Sequence, residues 1–431
     1  MYLLIEKSSE GMTELLKNIK MPKMLKIRQK FDKTNIKDIS AEIKKQFDRP
    51  QIKESVKPGM RIAVAAGSRG ISNIALIVRE TVAFLKSCGA EAFIVPAMGS
   101  HGGATAKGQS GVLEGFGITE DYTGAPIKSS MEVIVLHEFE DGTKVYCDRY
   151  AADADAIVLV NRIKPHTCFR GPYESGLMKM MAIGLGKQKG AYSYHEKGFA
   201  DFARVVERTG RTFLEKTNTI FGVGIIENAF DETYKIFVLA GNEIPLKEPA
   251  LLDEAKNLMP RIYLDDIDVL VVDEIGKNYS GDGMDPNITG AFITPYAEGG
   301  ITTKRIAVLD LSDESYGNAC GAGVADTSTA RLLAKFDPDK TYPNSLTSTV
   351  PIVSKIPLIF KNQEQAIKAA LMMAPGANRE LPRIIRIPNT LHLEYIQISQ
   401  ALLPEAEQDA GKMEILSPPE DMRFDENGDL F

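Results

Sequence analysis

Apolar runs alternate with helical patterns from the run 61–66 onward. This run and the run 91–98 are strand-like, and each leads into a glycine-rich loop. Between them, residues 73–89 space their apolar positions as an amphipathic helix does and end in glycine. Residues 104–117 form the next predicted helix, and the run 156–163 is the third predicted strand. Strands that alternate with helices predict a largely parallel sheet covered by helices.

The same pattern restarts near residue 260. The runs 268–275 and 305–311 are strand-like, and residues 364–374 have the spacing of a helix. A chain of 431 residues is also too long for one simple core. We therefore predict two α/β domains with mostly parallel sheets and an active site in the interdomain cleft. The predicted division is an N-terminal domain at 1–260, a C-terminal domain at 261–414 and a C-terminal tail at 415–431.

Composition excludes several classes of function. Apolar residues make up 44% and charged residues 25% of the chain, as in an ordinary globular protein. The net charge of −7, without a basic stripe, argues against a nucleic-acid partner. No run approaches the ~20 apolar residues of a membrane span, and the first residues lack a secretory pattern. Four scattered cysteines without a CxxC pair suggest neither a zinc knot nor disulfides, so we expect a cytoplasmic protein.

Candidate chemistry follows the first three predicted strands, which end in GSRG, GSHGG and KPHT. Ligands of open α/β sheets bind beyond the carboxyl ends of the strands. Arg69, His101 and His166 are therefore expected at one edge of the sheet. The glycine loops could cradle a phosphate or a carboxylate, but neither matches a nucleotide-binding motif. The glycines beside His101 would let a ligand approach the backbone closely.

Lys179 lies in the segment ESGLMKMM, where its neighbours are leucine and methionines. Desolvation among such side chains lowers the pKa of an amine and leaves it nucleophilic. His195 follows after a glycine break. The residues alone allow two interpretations, an ordinary core helix with a surface lysine or a nucleophilic lysine near histidines in a polar crevice.

These segments resemble a known family. The chain is similar to the nickel-pincer-nucleotide-dependent racemases and epimerases, whose founding activity is lactate racemase. Segments 274–290 and 316–323 resemble the C-terminal half of a divergent branch of that family. The segments that carry the main resemblance are GSRGISN (67–73), PAMGSHGGAT (96–105), the stretch 161–191 and SYHEKGF (193–199).

The resemblance implies an isomerase that inverts the α-carbon of a 2-hydroxy acid. Hydride transfer to and from a covalently bound nickel-pincer nucleotide, Ni(II) pyridinium-3,5-bisthiocarboxylic acid mononucleotide, would carry the reaction. By resemblance, Lys179 is the lysine to which this cofactor is tethered, and His195 is the nickel ligand. His101 and His166 resemble the catalytic pair that acts as acid and base on either face of the carbon.

Further roles also follow from the resemblance. Ser68, Arg69 and Gly102 are expected to contact the cofactor, and Arg69 suits an anionic group of the cofactor or substrate. Lys277 and Asn287 are candidates for contact with the substrate. The expected partners are a small 2-hydroxy acid and the proteins that synthesise the cofactor.

The sequence also departs from the lactate enzyme. Ala66 and Gly67 stand where an aspartate usually precedes the arginine loop, and segment 274–287 lacks a tyrosine–glutamine signature. Lactate is therefore not carried over as the substrate. Two other interpretations stay open. One is a zinc- or iron-dependent hydrolase or lyase that uses His101, His166 and His195 as direct ligands, and the other is an anion-binding protein without the cofactor.

Overall fold

The structure is a computed structural model that describes residues 9–67 and 70–430. Its strands, in chain order, are β1 (Lys23–Gln29), β2 (Arg61–Ala66), β3 (Glu91–Pro96), β4 (Val133–Glu138), β5 (Lys144–Asp148), β6 (Ala156–Arg162), β7 (Thr219–Glu227), β8 (Thr233–Ala240), β9 (Ile267–Ile275), β10 (Thr303–Leu311), β11 (Thr327–Thr329), β12 (Leu358–Phe360), β13 (Ile384–Ile387), β14 (Tyr395–Ser399), β15 (Met413–Ile415) and β16 (Glu420–Asp421).

The α-helices are α1 (Ser9–Leu16), α2 (Ile39–Phe47), α3 (Pro50–Lys53), α4 (Ile74–Ser87), α5 (Ala106–Gly115), α6 (Glu120–Thr123), α7 (Arg149–Ala152), α8 (Leu177–Lys179), α9 (Lys187–His195), α10 (Phe202–Lys216), α11 (Ile244–Leu258), α12 (Pro286–Thr289), α13 (Ala330–Lys335), α14 (Pro338–Ser348), α15 (Gln363–Met373) and α16 (Leu403–Gln408). A π-helical turn, Met180–Gly184, continues α8. In the parts of the chain that the structure describes, no helix combines the length and the apolar character that crossing a membrane requires.

The chain divides into two compact units. The inserted unit is residues 33–259, and the outer unit joins residues 1–32 to residues 260–431. The sequence predicted a division at 260, with residues 1–260 together and residues 415–431 as a tail. Residues 1–32 lie in the outer unit because β1 pairs with β14, β15 and β16 of that unit.

The inserted unit contains a five-stranded sheet in the order β3-β2-β6-β7-β8. The pairs from β3 to β7 are parallel, and β8 returns antiparallel to β7. Strands β2, β3 and β6 are buried over nearly their whole length, which explains their continuous apolar runs. Helices α2 and α4 pack against each other through the stacked rings of Phe47 and Phe84, centred 4.3 Å apart, and both rings contact Phe221 of β7. A separate hairpin joins β4 to β5.

The outer unit contains a nine-stranded mixed sheet, in the order β12-β11-β10-β9-β13-β14-β1-β15, with β16 beside β1. The pairs from β12 to β13 are parallel, whereas β14, β1, β15 and β16 pair antiparallel. The prediction of an α/β protein with mostly parallel sheets is thus confirmed. The antiparallel half of the outer sheet is the part that alternating strand and helix patterns did not predict.

A buried ion pair and its hydrogen bonds connect the start of α9 with helix α5 and with the ends of β3 and β5. The Lys187 ammonium lies 3.0 Å from Asp148 Oδ2, and both side chains are fully buried. Lys187 also donates to Gln109 Oε1 at 3.0 Å and to the carbonyl of Pro96 at 2.5 Å. Asp148 in turn accepts from the N–H of Ala151 and caps α7. The start of α9 is thereby held against the loop that follows β3.

This network predicts that Lys187→Met lowers the free energy of unfolding by about 3–5 kcal/mol, because it leaves the Asp148 carboxylate buried without its counter-charge. Chemical denaturation of the variant and the parent measures the difference. Lys189→Met, at an exposed position on the same helix, is the matched control and should stay within about 0.5 kcal/mol of the parent. Adding Asp148→Asn to Lys187→Met should recover part of the loss. Equal stability of the two lysine variants would contradict the assignment.

Candidate active site

The predicted site residues of the inserted unit lie where β2, β3 and β6 end. Gly67 follows β2, His101 follows β3, and His166 follows β6. Because the three strands are parallel neighbours, their loops leave the sheet at the same edge. Ser68 and Arg69, two of the predicted site residues, lie outside the described residues. The loops that carry His101 and His166 therefore begin at one edge of the sheet, and the roles of the two histidines stay predictions.

A buried carboxylate shapes the loop that carries His166. Glu174 has no exposed surface, and its Oε2 accepts the N–H of His166 at 2.8 Å. The same oxygen lies 3.1 Å from the guanidinium of Arg170, which also donates to the carbonyl of His166 at 2.6 Å. The loop is therefore closed on itself by charge-assisted hydrogen bonds, which are stronger than neutral ones.

The imidazole of His166 has a defined hydrogen-bonding state. The backbone N–H of Cys168 donates to Nδ1 at 3.0 Å. A backbone N–H can only donate, so Nδ1 holds a lone pair and the neutral ring carries its proton on Nε2. In this arrangement His166 offers a donor, not a base, at Nε2.

Lys179 is the last residue of α8, directly before the π-helical turn. Such turns are frequent at functional sites. The turn ends at Gly184. Close packing requires a glycine there, because a Cβ would lie 2.6 Å from the carbonyl oxygen of Ala97. The carbonyl of Gly184 accepts the N–H of Gly99 at 3.1 Å. The lysine segment is therefore packed directly against the loop that leads to His101.

The N-terminus of α8 is capped by another helix. Gly176, at the N-cap position, has no side chain with which to cap it. Glu248 of α11 is 1% exposed, and its Oε2 accepts the N–H of Met178 at 3.0 Å. Burial raises the pKa of Glu248 to about 8, although the N–H groups of Met178 and Leu177 pull it downward. A buried carboxyl thus supports the segment that carries Lys179.

His195 has the opposite hydrogen-bonding state from His166. Its Nδ1 lies 2.7 Å from the carbonyl of Ala191, which can only accept. Nδ1 therefore carries the proton, and Nε2 of the neutral ring holds a lone pair. Burial, with a smaller contribution from the positive charge of Lys179, lowers the pKa of His195 to about 4, although the hydrogen bond to the carbonyl of Ala191 opposes the shift. At neutral pH the ring is uncharged, with the arrangement typical of a histidine that binds a metal through Nε2.

Two phenylalanine rings connect the three residues. The ring of Phe169 lies 4.6 Å from that of His166, and the Lys179 ammonium is 6.0 Å from its centre. Phe202 lies 5.0 Å from Phe169 and 5.0 Å from the ring of His195. His166, Lys179 and His195 therefore surround one aromatic cluster, which limits water on that side of the site.

His101 is exposed and follows a glycine-containing loop. The buried amide of Gln109 holds this loop, since it donates to the carbonyls of Gly99 at 2.9 Å and His101 at 3.3 Å. Gly102 has a φ of +66°, and a Cβ there would lie 2.6 Å from the backbone nitrogen of Gln109. Glycine is thus required at 102 for backbone conformation and packing, and its contact with a cofactor stays a prediction.

Two predicted substrate residues lie in the outer unit. Lys277 donates from its backbone to Ser315 Oγ at 2.9 Å and from its ammonium to the carbonyl of Gly281 at 2.5 Å. Asn287 begins α12 beside Asp285, whose Oδ1 accepts from the amide side chain of Asn287 at 2.8 Å. Both therefore have structural partners, and their contact with a substrate stays a prediction.

The donor set suits a cofactor that brings its own ligands. Across the described ranges 9–67 and 70–430, no three histidine, cysteine or carboxylate side chains form a group that could hold a metal ion. One imidazole whose Nε2 carries a lone pair and one lysine amine lie against the same aromatic cluster. This set fits a nickel-pincer nucleotide, which needs one nitrogen ligand and one amine tether.

Sequence reasoning missed the supporting residues Asn161, Lys187, Glu248 and Lys256. Asn161 follows the apolar residues of β6, and its side-chain amide donates to the carbonyl of Gly176 at 2.9 Å. For Glu248 a signal was available, since it shares one helix face with the buried residues Ile244, Leu252 and Ala255. A glutamate on an apolar face predicts a buried partner. For Lys187 and Lys256 nothing in the local pattern distinguishes them from surface lysines.

Comparisons with known proteins bear on the family and the fold of the chain. Residues 12–205 match the family model described as the lactate racemase N-terminal domain. The fold is similar to the lactate racemase apoprotein from Thermoanaerobacterium thermosaccharolyticum, at 13% identity and a TM-score of 0.52, covering 85% of this chain and 98% of that one. A crystal structure from Thermotoga maritima is similar at 14% identity and a TM-score of 0.51, over 82% and 97% of the two chains. No curated protein matches. The segments of His101, His166, Lys179 and His195 lie inside the residues that match the lactate racemase N-terminal domain, and the similarity to the two solved structures is one of fold.

Proposed function

We propose that this protein is a racemase or epimerase that inverts the α-carbon of a 2-hydroxy acid. The observation that carries the proposal is the arrangement of Lys179 and His195 on one aromatic cluster, with His195 neutral and its Nε2 holding a lone pair. An amine for a covalent tether and a nitrogen for a metal are the two groups that the nickel-pincer nucleotide requires from the protein.

In this proposal Lys179 holds the cofactor covalently and His195 ligates its nickel, while Ser68, Arg69 and Gly102 contact the nucleotide. When bound, the nickel-pincer nucleotide supplies a reversible hydride acceptor. The protein positions Lys179 and His195. Glu248 accepts a hydrogen bond from the segment of Lys179, and the buried Lys187 holds the start of the helix that ends in His195. Phe169 and Phe202 exclude water from one side of the reacting centre.

His101 and His166 move the proton of the substrate hydroxyl. A base is needed on each face of the carbon, and two histidines on separate loops of one sheet edge suit this role. His166 can accept a proton at Nε2 only after its proton shifts to Nδ1, which breaks the bond from the Cys168 N–H. We therefore expect oxidation of the enantiomer that depends on His166 to be the slower first half-reaction.

Arg69 is proposed to bind the substrate carboxylate or an anionic group of the cofactor. The described ends of its loop are anchored, because Ser72 donates its N–H to Glu227 Oε1 at 2.6 Å. Glu227 is itself paired with Arg162. Lys277 and Asn287 are proposed contacts for the remainder of the substrate.

The cellular setting follows from the cofactor. The proteins that synthesise it are the expected partners, and the four cysteines are free thiols, of which three are buried. We propose a cytoplasmic location, where thiols stay reduced. A zinc or iron hydrolase that uses histidines as direct ligands is less well supported, because no group of three ligand side chains occurs in the described ranges.

Intact mass tests the tether. When the chain is co-expressed with the cofactor-synthesis proteins, the parent should carry a covalent adduct, and Lys179→Arg should carry none because arginine offers no acylable amine. Lys189→Arg, on the helix that follows, is the matched control and should retain the adduct. Loss of the adduct from the control and not from Lys179→Arg would mean that another lysine is the tether.

Nickel content tests the metal ligand. His195→Ala should reduce bound nickel well below one equivalent per chain while leaving the adduct on Lys179, because the imidazole donates the only protein nitrogen in this proposal. His137→Ala, in the β4–β5 hairpin, is the control and should leave nickel unchanged. Elemental analysis of purified protein makes the comparison. Equal nickel in parent and His195→Ala would remove His195 from the site.

Turnover of chiral 2-hydroxy acids tests the histidine pair. His101→Ala and His166→Ala should each slow racemisation in both directions by the same factor, of roughly 100- to 10,000-fold, since the equilibrium between enantiomers is unchanged. In single turnovers the two variants should stall with opposite enantiomers. The parent should form ketone more slowly from the enantiomer on which His166→Ala stalls.

Isotope retention separates this chemistry from proton abstraction at carbon. With a 2-deuterated substrate in ordinary water, the deuterium should return to the product carbon. Rapid exchange of that hydrogen with solvent would indicate a carbanion, and the proposed role of the cofactor would then be wrong.

A further inference from the structure

Helix α11 contacts the back of the candidate site at two points. Its buried face presents Glu248 among apolar residues, and Lys256 lies two turns further along the same side. Glu248 and Lys256 each reach a different site segment. Neither side chain is one that the proposed chemistry uses directly.

The first contact fixes the segment of Lys179. Glu248 Oε2 accepts the N–H of Met178 at 3.0 Å, one residue before the lysine. A Cβ on Gly176 would lie 2.1 Å from Glu248 Oε1. Glycine at this N-cap position therefore leaves room for a cap from another helix.

The second contact fixes the loop of His166. The Lys256 ammonium lies 2.8 Å from Glu174 Oε1. The other oxygen of this buried carboxylate accepts the N–H of His166 at 2.8 Å and contacts Arg170. Lys256 therefore balances the charge of the group that orients the histidine loop. Of the two ion pairs of Glu174 described here, removal of the Lys256 ammonium would leave the one with Arg170.

We propose that α11 is a positioning element that holds Lys179 and His166 in register with each other, through Glu248 and Lys256 respectively. The two contacts lie on one helix, so we expect a displacement of this helix to affect both. What they position rests on the proposed function, but the contacts themselves do not. A displacement of about 1 Å can reduce turnover by roughly 100-fold even when it arises away from the reacting atoms.

Amide hydrogen exchange of the bare protein tests the contacts without any cofactor. Glu248→Leu removes the acceptor and should speed exchange at the Met178 amide by about 10- to 100-fold, as loss of a hydrogen bond to a buried acidic group implies. Glu248→Gln keeps a carbonyl acceptor and should restore protection. Lys256→Met should speed exchange at the His166 amide, and Lys256→Arg should restore it. Asp253→Asn and Lys247→Met, on the exposed side of α11, are the matched controls.

The loaded protein tests the consequence for function. In chains carrying the Lys179 adduct, Glu248→Leu and Lys256→Met should lower kcat by about 10- to 100-fold with little change in KM, and Glu248→Gln should approach the parent. If Glu248→Leu fails to fold, kcat and amide exchange are compared between the parent and the variants Lys256→Met, Lys256→Arg and Glu248→Gln, because Lys256 is partly exposed.

The outcomes separate the two hypotheses. Unchanged exchange at both amides in the disrupting variants would overturn the positioning contacts. Faster exchange together with parental kcat would overturn their role in turnover. Faster exchange in the variants, with no adduct even in the parent, would leave the contacts standing and remove the proposed function instead.

Discussion

Parallel pairing at the centre of the inserted unit determines where its chemistry can lie. Ala66 pairs with Pro96 on one side and with Val160 on the other, so three strands end at nearly one level. The loops that follow therefore start together, and residues far apart in the chain become neighbours at the edge of the sheet. The buried ion pair of Lys187 and the cap from Glu248 hold segments near this edge. The strand pairing determines where those segments lie.

The same pairing explains which parts of the fold were predictable. Buried parallel strands are continuous apolar runs, and the bounds predicted for β2, β6, β9 and β10 lie within two residues of the observed ones. Strand β1 gave no such signal, because KMLKIRQ alternates lysine and arginine with apolar residues. Its partners β14 and β15 also lie far along the chain, and no local pattern encodes a pairing between the two ends of a sequence. The antiparallel pairs of the outer sheet could therefore not be predicted from local sequence patterns.

Within the candidate site, the sequence suggests which residues act, but it does not indicate how the histidines are protonated. Glycine loops and strand ends pointed to His101 and His166, and resemblance pointed to Lys179 and His195. Which ring nitrogen carries a proton depends on the backbone group that each Nδ1 meets. For His166 this group is the N–H of Cys168, and for His195 it is the carbonyl of Ala191. The two imidazoles are chemically alike in the sequence and opposite in the folded chain, since the neutral ring of His166 carries its proton on Nε2 and that of His195 on Nδ1.

The pairing of β1 also bears on the order in which the chain can assemble during synthesis. Strand β1 is synthesised before residues 33–259, whereas its partners, which lie within residues 395–421, are synthesised after them. Residues 33–259, by contrast, are contiguous, so that unit can complete its sheet while the rest is still being made. Until then β1 remains an unpaired strand with exposed backbone donors and acceptors, and its lysine and arginine side chains are of the kind that discourage edge-to-edge association.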